Sequence, residues 1–232
     1  MPDADLSLAV PAVFFGAVGT AGQRCTSTRR LYLHRDIAPS FLSRLLSLYK
    51  SLTPGDPLAP ATLLGPLHTR AAVGIYSSAI ERLRAAGAEL LCGAAPYGAD
   101  ALPSALAGGN WVQPTVAVPT KVDLAHDVWR TETFAPVLCV GVFDELEEAI
   151  AWNNGVPQGL SSSLWTRDVR NVGKWIGPAG SDCGIVNVSP RVLWGLPLVL
   201  IFVRSMLERA VLRLVQPLAE IRALDGNVSL HL

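Results

Sequence analysis

The chain has 232 residues, half of them apolar and 16% charged, which excludes a disordered chain of low hydrophobicity and high net charge and suffices for one large domain or two small ones. Lys plus Arg number 19, as do Asp plus Glu, so net charge gives no reason to expect nucleic acid or a membrane surface as partner. Neutrality also removes the repulsion that keeps copies of a chain apart, which favours association.

Residues 5–22 are apolar and rich in small side chains, which predicts a buried helix ending in glycines. Alternation of Leu31 and Leu33 with Tyr32 and His34 predicts a strand over 30–34. Asp36 is the expected cap of a helix whose apolar positions are Ile37, Phe41, Leu45 and Leu48, stopped by the turn at Pro54 and Gly55. Thr69 caps a second helix with Val73, Tyr76, Ile80 and Leu83 on one face, and Gly87 ends it. A short strand follows over 89–92. After a Gly/Pro/Ala-rich loop, 111–118 is strand-like around Pro114.

The apolar run 136–143 suits a strand covered on both faces. Asp144 and Glu147 are read as a capping-box pair before a helix over 145–153. A strand over 160–166, a helix over 168–175 and a strand over 184–188 complete the rhythm, which predicts an α/β fold with a mainly parallel sheet. Composition shifts at Pro190. From there on lysine is absent, leucine and valine are frequent, and 198–216 reads as one helix.

The four cysteines, at 25, 92, 139 and 183, have neither C-x-x-C nor zinc-finger spacing. No metal site is expected, and scattered thiols fit a reducing compartment, here the cytoplasm. The first residues carry Asp3 and Asp5 and no basic side chain, unlike a secretory leader, and no mitochondrial targeting signal is evident. The charge-free run 192–203 is short of the ~20 residues a membrane span needs.

Cys25 stands apart because Gly16, Gly19 and Gly22 crowd the residues before it and Arg24 adjoins it. Glycines let backbone approach a ligand closely, and nearby positive charge activates a thiol. By themselves these residues also suit a structural cysteine.

Four segments in register carry a resemblance that decides between those readings. Gly22-Gln23-Arg24-Cys25, after Phe14 and Phe15, resembles the active-site motif of the aldehyde dehydrogenase superfamily. Thr131-Glu132-Thr133-Phe134-Ala135-Pro136 is similar to its second signature. Trp152-Asn153-Asn154 with Gln158-Gly159-Leu160-Ser161, and the stretch from Gly177 to Val188, resemble the segments that follow. Leu64-Gly65-Pro66-Leu67-His68-Thr69 and Gly180-Ser181-Asp182-Cys183-Gly184 resemble the subfamily that oxidises α-aminoadipic semialdehyde, the antiquitins.

The resemblance implies NAD-dependent oxidation of an aldehyde to its acid. Cys25 is then the nucleophile, Glu132 holds the nicotinamide ribose, Phe134 packs near the ring, and Arg24 reads the substrate's carboxylate. It also implies a catalytic-type domain over 3–189, without the N-terminal nucleotide-binding domain, and an unrelated helical tail over 190–232. No G-x-G-x-x-G or P-loop occurs among the 232 residues. The chain alone is therefore expected to be inactive. Its alternative role is that of a non-catalytic fragment binding full-length aldehyde dehydrogenase subunits as a homo- or hetero-oligomer. A third reading pairs Cys25 with His34, His68 or His126 as a cysteine hydrolase.

Overall fold

The structure is a computed structural model that describes residues 1–98, 102, 104–106, 108–188 and, as backbone, 189 and 200–203. The elements alternate: α1 (Leu6–Val18), β1 (Arg30–His34), α2 (Ala38–Ser51), α3 (Arg70–Ala85), β2 (Glu89–Cys92), β3 (Thr115–Val118), α4 (Asp127–Arg130), β4 (Val137–Phe143), α5 (Leu146–Asn154), β5 (Ser161–Trp165), α6 (Val169–Ile176), β6 (Ile185–Ser189) and β7 (Leu200–Val203). They build two sheets. The first has the order β1-β4-β3-β2, with β1, β4 and β3 parallel and β2 antiparallel at one edge. The second has the order β5-β6-β7, with β5 and β6 parallel and β7 antiparallel. The expected α/β, mainly parallel architecture is therefore present, divided between two sheets.

The strand period of two places neighbouring side chains in different layers. Leu138 and Val140 of β4 join Leu31, Leu33, Phe41, Leu45 and the buried side of α1 in one core. Val137 and Cys139 of the same strand join Tyr76, Ile80, Leu83 and Trp129 in a second, on the opposite face. This explains the unbroken apolar run of β4, which is covered on both sides. A third core, with Leu146, Leu164, Trp175 and Val186, belongs to the second sheet.

Three expectations need correction. Asp36 does not cap α2: the N-cap is Ile37, without a side-chain cap bond, and Asp36 pairs with His34. The capping box before α5 uses Glu145 and Glu148 rather than Asp144 and Glu147, because the helix starts one residue later than the pattern suggests. Leu200–Val203, inside the expected tail helix, forms β7 against the free edge of β6, where β-branched and apolar residues find ladder partners. The rest of 198–216 lies outside the described residues.

Side chains fasten the two sheets together. Asp3 accepts bonds from Thr166 Oγ1 and from the backbone N–H of Arg167 and Asp168. Arg30 donates to the carbonyls of Trp152 and Asn153 in the last turn of α5, where a cation meets unsatisfied acceptors. Between β1 and β5, each of which has one edge unpaired among the described residues, lies a cavity of about 360 Å³ lined by Arg30, Leu31, Ser161, Ser163 and Cys25, among others. No helix among the described residues is long and apolar enough to cross a membrane.

Tyr76 is fully buried, and its hydroxyl joins α3 to the carbonyl of Gln113 at 2.7 Å and to Thr115 Oγ1 at 2.9 Å. Burial pushes its pKa from 10.0 up to about 12, against the lowering influence of Thr115 and of backbone hydrogen bonds. The unfolded chain releases this proton near pH 10 and the folded chain only near pH 12. Between those values the unfolded state binds fewer protons, so stability falls as pH rises. Tyr76→Phe is expected to cost about 1–2 kcal/mol at pH 7 and to lose less stability than the parent between pH 9 and 11. Urea midpoints across that range measure it, and parallel curves for the two proteins would refute it.

Candidate active site

The residues that place Cys25 are local and conformationally unusual. After α1, Thr20, Ala21 and Gly22 have φ of 53°, 52° and 66°, three consecutive residues in the left-handed region. Non-glycine residues rarely adopt it, and such strain concentrates at functional sites. The turn reverses the chain and leaves Cys25 exposed, with Arg24 N–H donating to Ser27 Oγ at 3.1 Å. Gly22 lets the turn rest on the second signature segment: a Cβ there would stand 2.5 Å from the Ala135 carbonyl oxygen.

Glu132 and Phe134 lie beside this loop, and Phe134 is itself left-handed, at φ 51°. The residue is 38% exposed. The Glu132 side chain is 40% exposed, with one carboxylate oxygen 3.0 Å from Arg29 Nε. Cys25, Glu132 and Thr133 line the same cavity that separates β1 from β5. The structure thus places Cys25 and Glu132 along one cavity; Phe134, two residues on, is not among the residues that line it.

Arg24 is nearby but turned toward α1. Its Nη2 donates to the Phe15 carbonyl at 3.1 Å and its guanidinium lies over the Phe15 ring. Its Nε is buried and has no hydrogen-bond partner among the described residues. Gly19 makes the approach feasible, since a Cβ there would meet the Arg24 guanidinium at 2.5 Å.

The three candidate histidines have other engagements. His34 Nδ1 and His126 Nδ1 each accept a local backbone N–H. His68 Nδ1 contacts Gln23 Oε1 at 2.9 Å, two residues from the thiol in sequence. None is bonded to Cys25 among these contacts.

Sequence reasoning missed Arg29. Its Nε meets Glu132, 103 residues away, Nη2 donates to the carbonyls of Gly22 and Arg24, both at 3.1 Å, and Nη1 reaches that of Ala135 at 3.5 Å. The guanidinium also lies over the Phe134 ring. Burial lowers its pKa from the ordinary arginine value, while Glu132 and Cys25 act in the opposite sense. An arginine four residues after a cysteine carries no local signal; its partners are supplied by folding.

The family model described as "Aldehyde dehydrogenase family" matches residues 1–192. "Aldehyde dehydrogenase family 7 member A1" of Pisum sativum is 50% identical over 189 residues, 82% of this chain and 35% of that protein. The α-aminoadipic semialdehyde dehydrogenase of Mus musculus is 48% identical over 189 residues, 81% of this chain and 33% of its own length. Among solved structures, 3,6-anhydro-L-galactose dehydrogenase in complex with NAP superposes with a TM-score of 0.74 at 26% identity, over 81% of this chain and 38% of that one. Betaine aldehyde dehydrogenase from Staphylococcus aureus in complex with NAD+ gives 0.72 at 25% identity, over 80% and 35%. The chain spans about a third of the length of the curated relatives it matches.

Proposed function

The chain belongs to the aldehyde dehydrogenase family, and from that premise we propose that residues 3–189 serve the NAD-dependent oxidation of an aldehyde, α-aminoadipic semialdehyde, through covalent attachment to Cys25. The observation that carries this reading is that the exposed Cys25 and Glu132, from segments more than a hundred residues apart, line one cavity, with Arg29 tying the cysteine loop to Glu132 and Phe134.

The chemistry suits these groups. The Cys25 thiolate adds to the carbonyl carbon, forming a C–S bond and leaving an oxyanion on the former aldehyde oxygen. Collapse of that oxyanion to a carbonyl expels hydride and leaves a thioester, which water cleaves to the acid and the free thiol. NAD, when bound, supplies the acceptor for the hydride. The residues present fit its ribose: Glu132 uses one carboxylate oxygen for Arg29, and its other oxygen has no partner among the described residues. A carboxylate can accept from two ribose hydroxyls, and Phe134 offers an exposed apolar face beside it.

Arg24 is proposed to read the carboxylate of the semialdehyde's amino-acid head. Support comes from its place directly before Cys25 and from a rigid fork that matches carboxylate geometry; the role requires the side chain to leave the Phe15 carbonyl and ring. Arg24→Ala is expected to lower kcat/KM on α-aminoadipic semialdehyde by about 10–100-fold and to spare an uncharged aldehyde, assayed in the setting where turnover is observed. Equal loss on both substrates would sink this role.

A second reading concerns partners. β1 and β5 both line one cavity, and each has an edge unpaired among the described residues; unpaired edges accept added strands. The chain is therefore also proposed to associate with a full-length aldehyde dehydrogenase subunit. One experiment addresses both readings: single-turnover NADH formation from α-aminoadipic semialdehyde and NAD, by the chain alone and coexpressed with a full-length homologue. Little NADH is expected from the chain alone, given that its 232 residues hold no nucleotide-binding fingerprint. Cys25-dependent NADH in the copurified complex would support both proposals. A chain that neither copurifies nor turns over would remove both.

A further inference from the structure

We propose that Arg29 is a positioning residue that staples the cysteine loop to the Glu132 segment and sets the charge met by a reagent arriving at Cys25. This rests on the reading of Cys25 and Glu132 given above, and it adds a residue that neither the motifs nor the chemistry of those two groups requires.

The geometry is that of a three-way tie. Nη2 donates to the carbonyls of Gly22 and Arg24, the residue before the nucleophile. Nε donates to Glu132 and, more distantly, Nη1 to the carbonyl of Ala135. The plane lies over Phe134, the left-handed residue between those two partners. The side chain is only 18% exposed, so water replaces these contacts poorly. Arginine is required for this arrangement: its donors form a fixed fork, whereas a lysine ammonium is a compact point charge and cannot span both segments. The staple also explains how a run of three left-handed residues persists, because strain of this kind survives only where surrounding contacts over-determine it.

Arg29 and Glu132 carry opposite charges beside the cysteine loop, and this makes the proposal testable without catalytic turnover. Alkylation of Cys25 in the intact chain would be followed by mass spectrometry with two reagents, neutral iodoacetamide and anionic iodoacetate. The ratio of the iodoacetate rate to the iodoacetamide rate reports local charge. Arg29→Gln is expected to lower that ratio by about three- to tenfold, the effect of removing one partly screened charge several ångströms away. Glu132→Gln is expected to raise it, since it exposes the Arg29 charge. General unfolding would move both variants the same way, so opposite signs cannot arise from misfolding.

Arg29→Lys separates charge from shape. It should keep the ratio within about twofold of the parent and yet accelerate amide exchange in residues 20–28 as much as Arg29→Gln does, because the fork is lost. Unchanged exchange at 20–28 together with an unchanged ratio in a folded Arg29→Gln protein overturns the proposal. If Cys25 is inert to both reagents in the parent chain but exchange at 20–28 rises in both Arg29 variants, the nucleophile reading fails and the staple stands.

Discussion

Replacing Cys25 with serine is expected to abolish thiol-dependent chemistry at this site, by at least about 10³-fold. The assay that isolates this step uses p-nitrophenyl acetate, because acylation of a thiol releases p-nitrophenolate without any cofactor. The parent chain should give a burst of one equivalent, with the acetyl group found on Cys25. The other cysteines are poor competitors. Cys139 and Cys183 are buried, and burial pushes the Cys139 thiol up to about 12 and raises Cys92 as well. At neutral pH Cys139 and Cys92 are therefore short of thiolate, the attacking form. A burst that survives in Cys25→Ser would remove the nucleophile from the proposal. A burst followed by sustained hydrolysis, itself lost in His34→Ala, His68→Ala or His126→Ala, would establish a cysteine hydrolase instead.

Gly22→Ala is expected to cost about 2–4 kcal/mol of stability and to displace Cys25. Two effects add. The backbone there has φ of 66°, and an added Cβ would meet the Ala135 oxygen at 2.5 Å, its carbonyl carbon at 2.6 Å and the Pro136 nitrogen at 2.8 Å. All three are backbone atoms, so no side chain can rotate away, and relief requires separating the cysteine loop from the Glu132 segment. Gly74 supplies the control. It lies inside α3 with open space where a Cβ would go, and Gly74→Ala should stabilise by about 0.5–1 kcal/mol through better helix propensity. Urea denaturation of both variants measures the contrast. A Gly22→Ala protein as stable as the parent would show that the two loops are not in contact.

Much of the fold was legible in the residue pattern because its causes are local. The two-residue period of Arg30–His34 and the long apolar run at Val137–Phe143 coincide with β1 and β4. Thr69 caps α3 as its residue type requires, accepting a bond from the Ala72 N–H. Where several carboxylates compete for one helix start, as at 144–148, local pattern did not select the one that caps. At 200–203 an apolar helical pattern became a strand because β6 offered an open edge.

By itself the sequence determined the α/β class and the family, and it offered Cys25, Glu132 and Phe134 as candidate site residues, since each of these readings rests on periodicity or on short motifs whose residues are neighbours in the chain. Only the tertiary structure decided that Arg29, rather than the adjacent Arg24, lies between the cysteine and Glu132, and that Arg24 turns back onto Phe15. It also decided that the strands form two sheets with an open cavity between β1 and β5. The physical reason is range: a guanidinium selects its acceptors from whatever carbonyls and carboxylates folding brings within about 3 Å, and here its carboxylate partner lies 103 residues along the chain.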